Sequence, residues 1–310
     1  MPDVVAYGPV MKYDDVIAAM FEPSPEGAVS PPTVQASAAR RLRDAIEPIA
    51  MHSVWSRHTN ERLAGLGHNF MTSYVCGRAA LLGDPTTGVV VSSFAVFEPN
   101  MLKGAYEGGK NLCDRSTLLE ARDEATIASL TQVLDGEHVA ATAAALRRGV
   151  EVVSGAGRPL FSGLRDQPWP ESPVGQLWRA TELFREHRGD SHVAACVAAG
   201  IDPVEMNVMT ELYVGMPLAS YSASRGWDEV TLQAAATRLQ DRGLLDNGAL
   251  TAAGQTFRAS IEDRTDDAQQ SIIDAIGDDL DSVVEATTQW SQQCVQAQAF
   301  PPNVFKRAAG

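Results

Sequence analysis

The chain has 310 residues, 45% of them hydrophobic, which suits two domains or one large helical body with a substantial core. Its 39 Asp and Glu outnumber its 25 Lys and Arg, so a surface for nucleic-acid phosphates must be a local exception to an acidic field of formal charge -14. No basic-then-apolar leader is visible, no apolar run is long enough to span a bilayer, and Cys76, Cys113, Cys196 and Cys294 lie far apart outside any C-x-x-C pair, so the expected setting is a reducing cytoplasm with no membrane partner, disulfide framework or zinc site.

Residues 1–32 read as an N-terminal arm interrupted by Pro23, Pro25, Pro31 and Pro32, with room for one short helix over Tyr13–Phe21. A helical domain is expected over 33–154. Thr33, after two prolines, is placed to cap its first helix; Leu42, Ile46 and Ile49 share a face, and Pro48 predicts a kink or break. Phe70–Leu82 is a second helix, stopped by Gly83-Asp84-Pro85. Val89–Phe97 is apolar enough for a strand or a buried helix, and periodicity does not decide between them. Ser116 is placed to cap a helix over Ser116–Leu134, and Glu137–Val150 continues the pattern.

Residues 155–173 are rich in Gly and Pro and read as a linker loop between domains. A winged-helix-like domain is expected over 174–267. Leu177, Ala180 and Phe184 mark a helix ending at Gly189; Asp190 then caps Ser191–Ala199, and Pro203 opens a helix with Val204, Val208 and Leu212 on one face. The stretch Arg225–Gly254 reads as a helix, a tight hairpin at Asp246-Asn247-Gly248 and the start of a second helix, the order of a winged helix-turn-helix. Leu232, Ala235 and Leu239 would face inward, leaving Thr231, Ala234 and Arg238 where base edges would lie. Residues 268–310 form a C-terminal helix and tail. Ile273, Ile276, Leu280, Val283, Thr287, Trp290, Cys294 and Ala297 recur in steps of three and four, either as a face packed on the chain's own domain or as a homodimer seam through residues 273–297. The fold class is all-α with a small β-wing, in two helical halves.

As a DNA-reading surface this unit is poor. Arg225–Arg264 holds five Arg against six acids, the wing tip carries no base, and residues 265–305 contain seven acids and no Lys or Arg. The charge disfavours DNA as a partner.

Four stretches, Glu47-Pro48-x-x-x-His52, Tyr74-x-x-Gly77-Arg78-Ala79-Ala80, Phe97-x-Pro99 and Arg185-Glu186-His187-Arg188-Gly189-Asp190-Ser191-His192-Val193-Ala194-Ala195, join the Arg225–Gly254 stretch. Together they resemble a poorly characterised actinobacterial family of winged-helix proteins, from roughly Thr33 to Asp267. Leu250-Thr251-Ala252-Ala253-Gly254 resembles the step after the wing in MarR-type regulators. The resemblance implies a fold and little about activity. The family's F-H-P is Phe97-Glu98-Pro99 here, which removes any histidine role at that place.

Arg78 lies within an apolar helix, and a buried guanidinium needs a partner. Asp190 is the expected partner, or else a helix cap. His52, His187, Arg188 and His192 add polar groups, and Trp55, Tyr74, Phe94 and Phe97 would line an apolar pocket beside them. The group is either a structural lock or a ligand site. The histidines lack metal-ligand spacing, and neither a catalytic motif nor a cofactor is identified. The leading expectation is a small-molecule-binding protein for an apolar or aromatic ligand, with weak or no DNA binding. The alternatives are a ligand-responsive MarR-like transcription regulator and an enzyme using the same pocket.

Overall fold

The helix Pro173–Ala198 is the axis of the molecule. A computed structural model describes residues 12–24, 26, 36–134 and 138–309; the expected cap Thr33, the start at Glu137 and most of the arm lie outside them. Ser172 caps the axis by accepting from the Gly175 amide, and Pro173 sits in the first turn, where its missing N–H is not needed. The expected stop at Gly189 and new cap at Asp190 are corrected: the helix runs through both. One mid-helix glycine costs about 1 kcal/mol, and the packing around it outweighs that. Trp178 and Phe184 are fully buried, and the helices Ala38–Ala50, Val139–Glu151 and Ala252–Asp267 lie against the axis.

Ser37 caps Ala38–Ala50, whose Leu42, Ile46 and Ile49 are fully buried as their spacing predicts. The expected break at Pro48 does not occur. Pro48 cannot bond the carbonyl of Asp44, four residues earlier. That carbonyl accepts instead from the Arg307 guanidinium, so the helix continues to Ala50. Asn69 and Thr72 form a reciprocal capping box at the start of Phe70–Ala79. Residues 89–97 resolve as the end of a helix, Thr87–Phe94, followed by a turn. Asp114, not Ser116, caps Arg115–Val133.

The expected linker at 155–173 is also corrected. It contains the helix Pro159–Arg165, whose Phe161 and Leu164 are fully buried against the axis and the turn Ala80–Leu82. Near the C-terminus, the seam is two helices, Gln270–Ile276 and Leu280–Gln296, separated by the short turn Gly277–Asp279. Ile273, Ile276, Val283, Thr287, Trp290 and Cys294 are buried, and these helices pack on Ala38–Ala50 and Val139–Glu151 of the same chain. The face that suggested a homodimer through 273–297 is thus largely packed within the chain, with Leu280 half-buried and Ala297 exposed.

The core forms two clusters. The larger runs from Val16 to Phe300 and takes Leu177–Phe184 from the axis. The smaller takes Ala195 and Cys196 and surrounds Met206, Leu232, Leu239 and Ile261. Its elements are the helices Pro203–Tyr213 and Glu229–Asp241, a hairpin of β1 (Leu245–Asp246) and β2 (Ala249–Leu250), and the helix Ala252–Asp267. The strands pair antiparallel, Leu245 with Leu250 and Asp246 with Ala249. Asn247 and Gly248 turn between them with φ 47° and 77°, the left-handed geometry expected of an Asn-Gly turn. Gly254 is required by contact: a Cβ there would lie 2.0 Å from the Leu244 carbonyl oxygen. The segment 214–228 contains only the short turn Ser222–Arg225.

No single helix among the described residues is long and apolar enough to cross a membrane.

Candidate functional site

A cleft of two adjoining cavities, about 80 and 170 Å³, opens on the larger cluster, and the larger cavity extends to Met206 of the smaller one. They share Glu47, Tyr74, Phe97, Arg185, Tyr221 and Arg225. The larger cluster supplies one wall, the axis the floor, and the segment 206–225 with Arg258 and Glu262 the other wall.

The smaller cavity is aromatic. Trp55 lies 5.5 Å from Phe70 and 6.5 Å from Phe300, and Tyr74 lies 5.7 Å from Phe97, ring centre to ring centre. Phe94 and Phe97 are aimed by a tight turn at Ala95, with φ 43° and ψ -64° and a bond from the Val96 amide to the Phe94 carbonyl at 2.6 Å. This is close to a γ-turn that non-glycine residues rarely adopt. The Val96 carbonyl then accepts from Asn207 Nδ2 at 2.8 Å and Trp227 Nε1 at 2.9 Å, joining the two clusters. Glu98 accepts from the amides of Asn100 and Met101 and caps Pro99–Gly109.

The larger cavity is a lattice of guanidinium and carboxylate groups. Seven arginines line it (Arg40, Arg43, Arg78, Arg185, Arg188, Arg225 and Arg258) against Glu47, Glu186, Asp190 and Glu262. The cleft is thus a positive concavity in an acidic chain. Arg78 grips Glu186 with Nε and Nη2, at 3.2 and 2.7 Å, and donates to the Tyr74 hydroxyl at 3.1 Å. This corrects the expected Arg78–Asp190 pair. Asp190 instead accepts from the Phe161 amide at 3.0 Å, holding Pro159–Arg165 on the axis. Burial pushes its carboxyl up to about 7, helped by the nearby Glu186 charge. Glu262 collects Arg40 at 2.9 Å, Arg258 at 2.7 Å and also Arg188, which hold its carboxyl well below the usual range. His192 faces Thr265 Oγ1 at 3.1 Å, and burial with the adjacent Arg258 lowers it to about 3.

A buried carboxylate shapes the wall carrying Tyr221 and Arg225. Glu211 accepts from the amides of Ala219 at 2.9 Å, Ser222 at 2.5 Å and also Tyr221. Arg225 then stacks on Tyr221 and Phe97, its guanidinium carbon 4.4 and 4.9 Å from the ring centres.

Of the expected ligand residues, Trp55, Tyr74, Arg78, Phe94, Phe97, Arg188, Asp190 and His192 come together in the cleft. Two histidines do not. His52 is fully buried against Ser129 Oγ at 2.8 Å. His187 is buried, with Nδ1 2.6 Å from Gln269 Oε1 and its ring edge-on to Phe161. Sequence reasoning missed Arg40, Arg43, Tyr221, Arg225, Arg258, Glu262, Phe300 and Arg307. A usable signal was the charge spacing Arg40–Asp44 and Arg43–Glu47 on an otherwise apolar helix. Among the described residues, no three His, Cys, Asp or Glu side chains converge as metal ligands.

On the expected DNA face, Thr231 is half-buried and Ala234 and Arg238 are exposed. Arg238 is not free: Nη2 lies 2.6 Å from Asp202 and Nε 3.0 Å from Glu205, while Arg242 takes the other Glu205 oxygen at 3.1 Å. The exposed start of this helix offers Glu229 and Val230, the latter 79% exposed.

No curated protein and no solved structure matches the chain. A helix-turn-helix family model matches residues 39–301, which include the smaller core cluster and most of the larger one and of the cleft lining, but not Met20 or Arg307. The chain belongs to that helix-turn-helix family.

Proposed function

We propose that this chain is a small-molecule-binding protein in which a winged-helix unit walls a ligand cleft and has weak or no affinity for DNA. The observation that carries the reading is the cleft itself. An aromatic cavity in the larger cluster opens into an arginine-lined one that spans the two packed clusters, a common setting of small-molecule sites. Pairing of Arg238 and Arg242 with Asp202 and Glu205 leaves little positive charge on the recognition helix. Native mass spectrometry of the chain purified from its source tests the reading. The expected spectrum carries a small-molecule excess over the 33.2 kDa chain that is shed on collisional activation. A bare chain under the gentlest conditions, together with retained duplex DNA, would overturn it.

A ligand-responsive regulator of MarR-like type is the second reading. It is favoured by family membership and by the place of Arg225, which lines the cleft and precedes Asp228, the cap of the recognition helix. A ligand that moved Arg225 would act directly on the start of that helix.

A further inference from the structure

We propose that the aromatic end of the cleft takes an aromatic carboxylate whose charged group is met by Arg225 and Arg307. The proposal rests on the ligand-cleft reading above and adds the chemical class of the ligand.

Of the seven arginines lining the larger cavity, six have carboxylate partners. The seventh is Arg225, which reaches across both cavities. Among the described residues its one side-chain hydrogen bond goes to the Tyr221 hydroxyl, and its Nε is buried with no acceptor. Arg307 lines the aromatic cavity too, and its guanidinium has a backbone carbonyl, that of Asp44, where a carboxylate would be expected. The one acid on this cavity, Glu47, is already answered by Arg43 at 3.7 Å and Arg185 at 3.2 Å. Among the described residues, neither guanidinium is therefore paired directly with a carboxylate beside Trp55, Phe70 and Phe300.

Burial and the neighbouring Arg43 charge outweigh the opposing Asp44 and Glu47 charges and lower the affinity of Arg307 for its proton, so a further anion beside it would be favoured. A guanidinium fork matches the two oxygens of a carboxylate, and the stacked Arg225 is already oriented. A cationic ligand would be repelled. A neutral one could offer an acceptor to the unpartnered Arg225 Nε but no charge to match the guanidinium.

Isothermal titration calorimetry with naphthoate and naphthamide tests this, because the two differ in charge and hardly in shape. Naphthoate is expected to bind at least about tenfold more tightly. Arg225→Met and Arg307→Met should each narrow the gap between naphthoate and naphthamide affinity, while Arg225→Lys keeps part of the difference. If Arg225→Met does not fold, Arg307→Met, near the chain end, carries the comparison. Equal affinity of the two probes overturns the carboxylate assignment and leaves the cleft intact. A naphthoate preference that survives both Met variants overturns it as well, by placing the anion elsewhere. If neither probe binds up to millimolar concentration, the cleft reading fails and this proposal fails with it.

Discussion

Arg238 donates to Glu205 across 3.0 Å, and so the arginine expected from sequence to face DNA is held by the capping box of the preceding helix. Glu205 is 7% exposed at its side chain and Arg238 47%. A pair this open is worth at most about 1 kcal/mol, so its importance lies in charge and orientation. The side chain lies back along Pro203–Tyr213, and Asp202 and Arg242 complete a neutral cluster.

Arg78→Met should destabilise the chain by about 3 kcal/mol, because it leaves Glu186 in the core with one base fewer. Glu186 keeps Arg185 at 3.0 Å, which holds the loss to the lower end of the usual range for a broken buried pair. Adding Glu186→Gln should recover much of the loss in urea unfolding. Adding Asp190→Asn should not, since Asp190 is bonded to the Phe161 amide. Relief by Asp190→Asn instead would restore the pair expected from sequence.

Stability should rise between pH 4 and 6.5. Burial holds His52 and His192 down to about 3 and His187 to about 4, against an unfolded value of 6.5. Below 6.5 the unfolded chain takes up protons that the folded chain refuses. The contribution is therefore complete above 6.5 and lost as pH falls toward the folded values. Asp190 has the opposite sign: raised from 3.8 to about 7, it favours folding at low pH and loses that contribution as pH rises through 7. Asp190→Asn should therefore steepen the rise in unfolding free energy across this window, measured by urea titration at a series of pH values. An unchanged or shallower slope would show that Asp190 is ionised in the folded chain throughout.

Val283→Asp should unfold the chain and leave the association state of the wild type unexplained by this face. Val283 is 2% exposed against its own chain, and an unpaired buried charge costs several kcal/mol. Thermal unfolding and sedimentation read the two effects separately. A dimeric wild type from which Val283→Asp yields folded, helical monomers would return the seam to an interface.

Local signals were legible where one residue's chemistry settled the matter. The Asn247-Gly248 turn, the inward Leu232, Ala235 and Leu239, and the buried Leu42, Ile46 and Ile49 follow from turn geometry and helical spacing. What failed were breaks inferred from Pro and Gly. Gly189 and Pro48 were outweighed by packing and by a distant donor, Arg307, which no local window contains. Of the cleft's wall, Trp55, Tyr74, Phe94 and Phe97 and only Arg78 and Arg188 among its arginines were visible, because they stand out in apolar or motif-rich stretches. Arg225, Glu262 and Arg307 were not, because their places depend on how the second cluster and the C-terminus fold back on the first. His52 and His187 were misplaced for the same reason: a buried histidine satisfied by Ser129 or Gln269 has the same sequence appearance as one facing a ligand.

Whether the helix-turn-helix unit serves the cleft or DNA is read most directly by fluorescence anisotropy of a labelled duplex from the chain's own upstream region, at physiological salt. The wild type should bind no more tightly than about micromolar and without sequence preference. Glu205→Gln, which unpairs Arg242 and leaves Arg238 only Asp202, should strengthen binding a few-fold at low salt only. Sequence-specific nanomolar binding by the wild type, abolished in Arg238→Ala, would contradict the account and make the regulator reading the correct one.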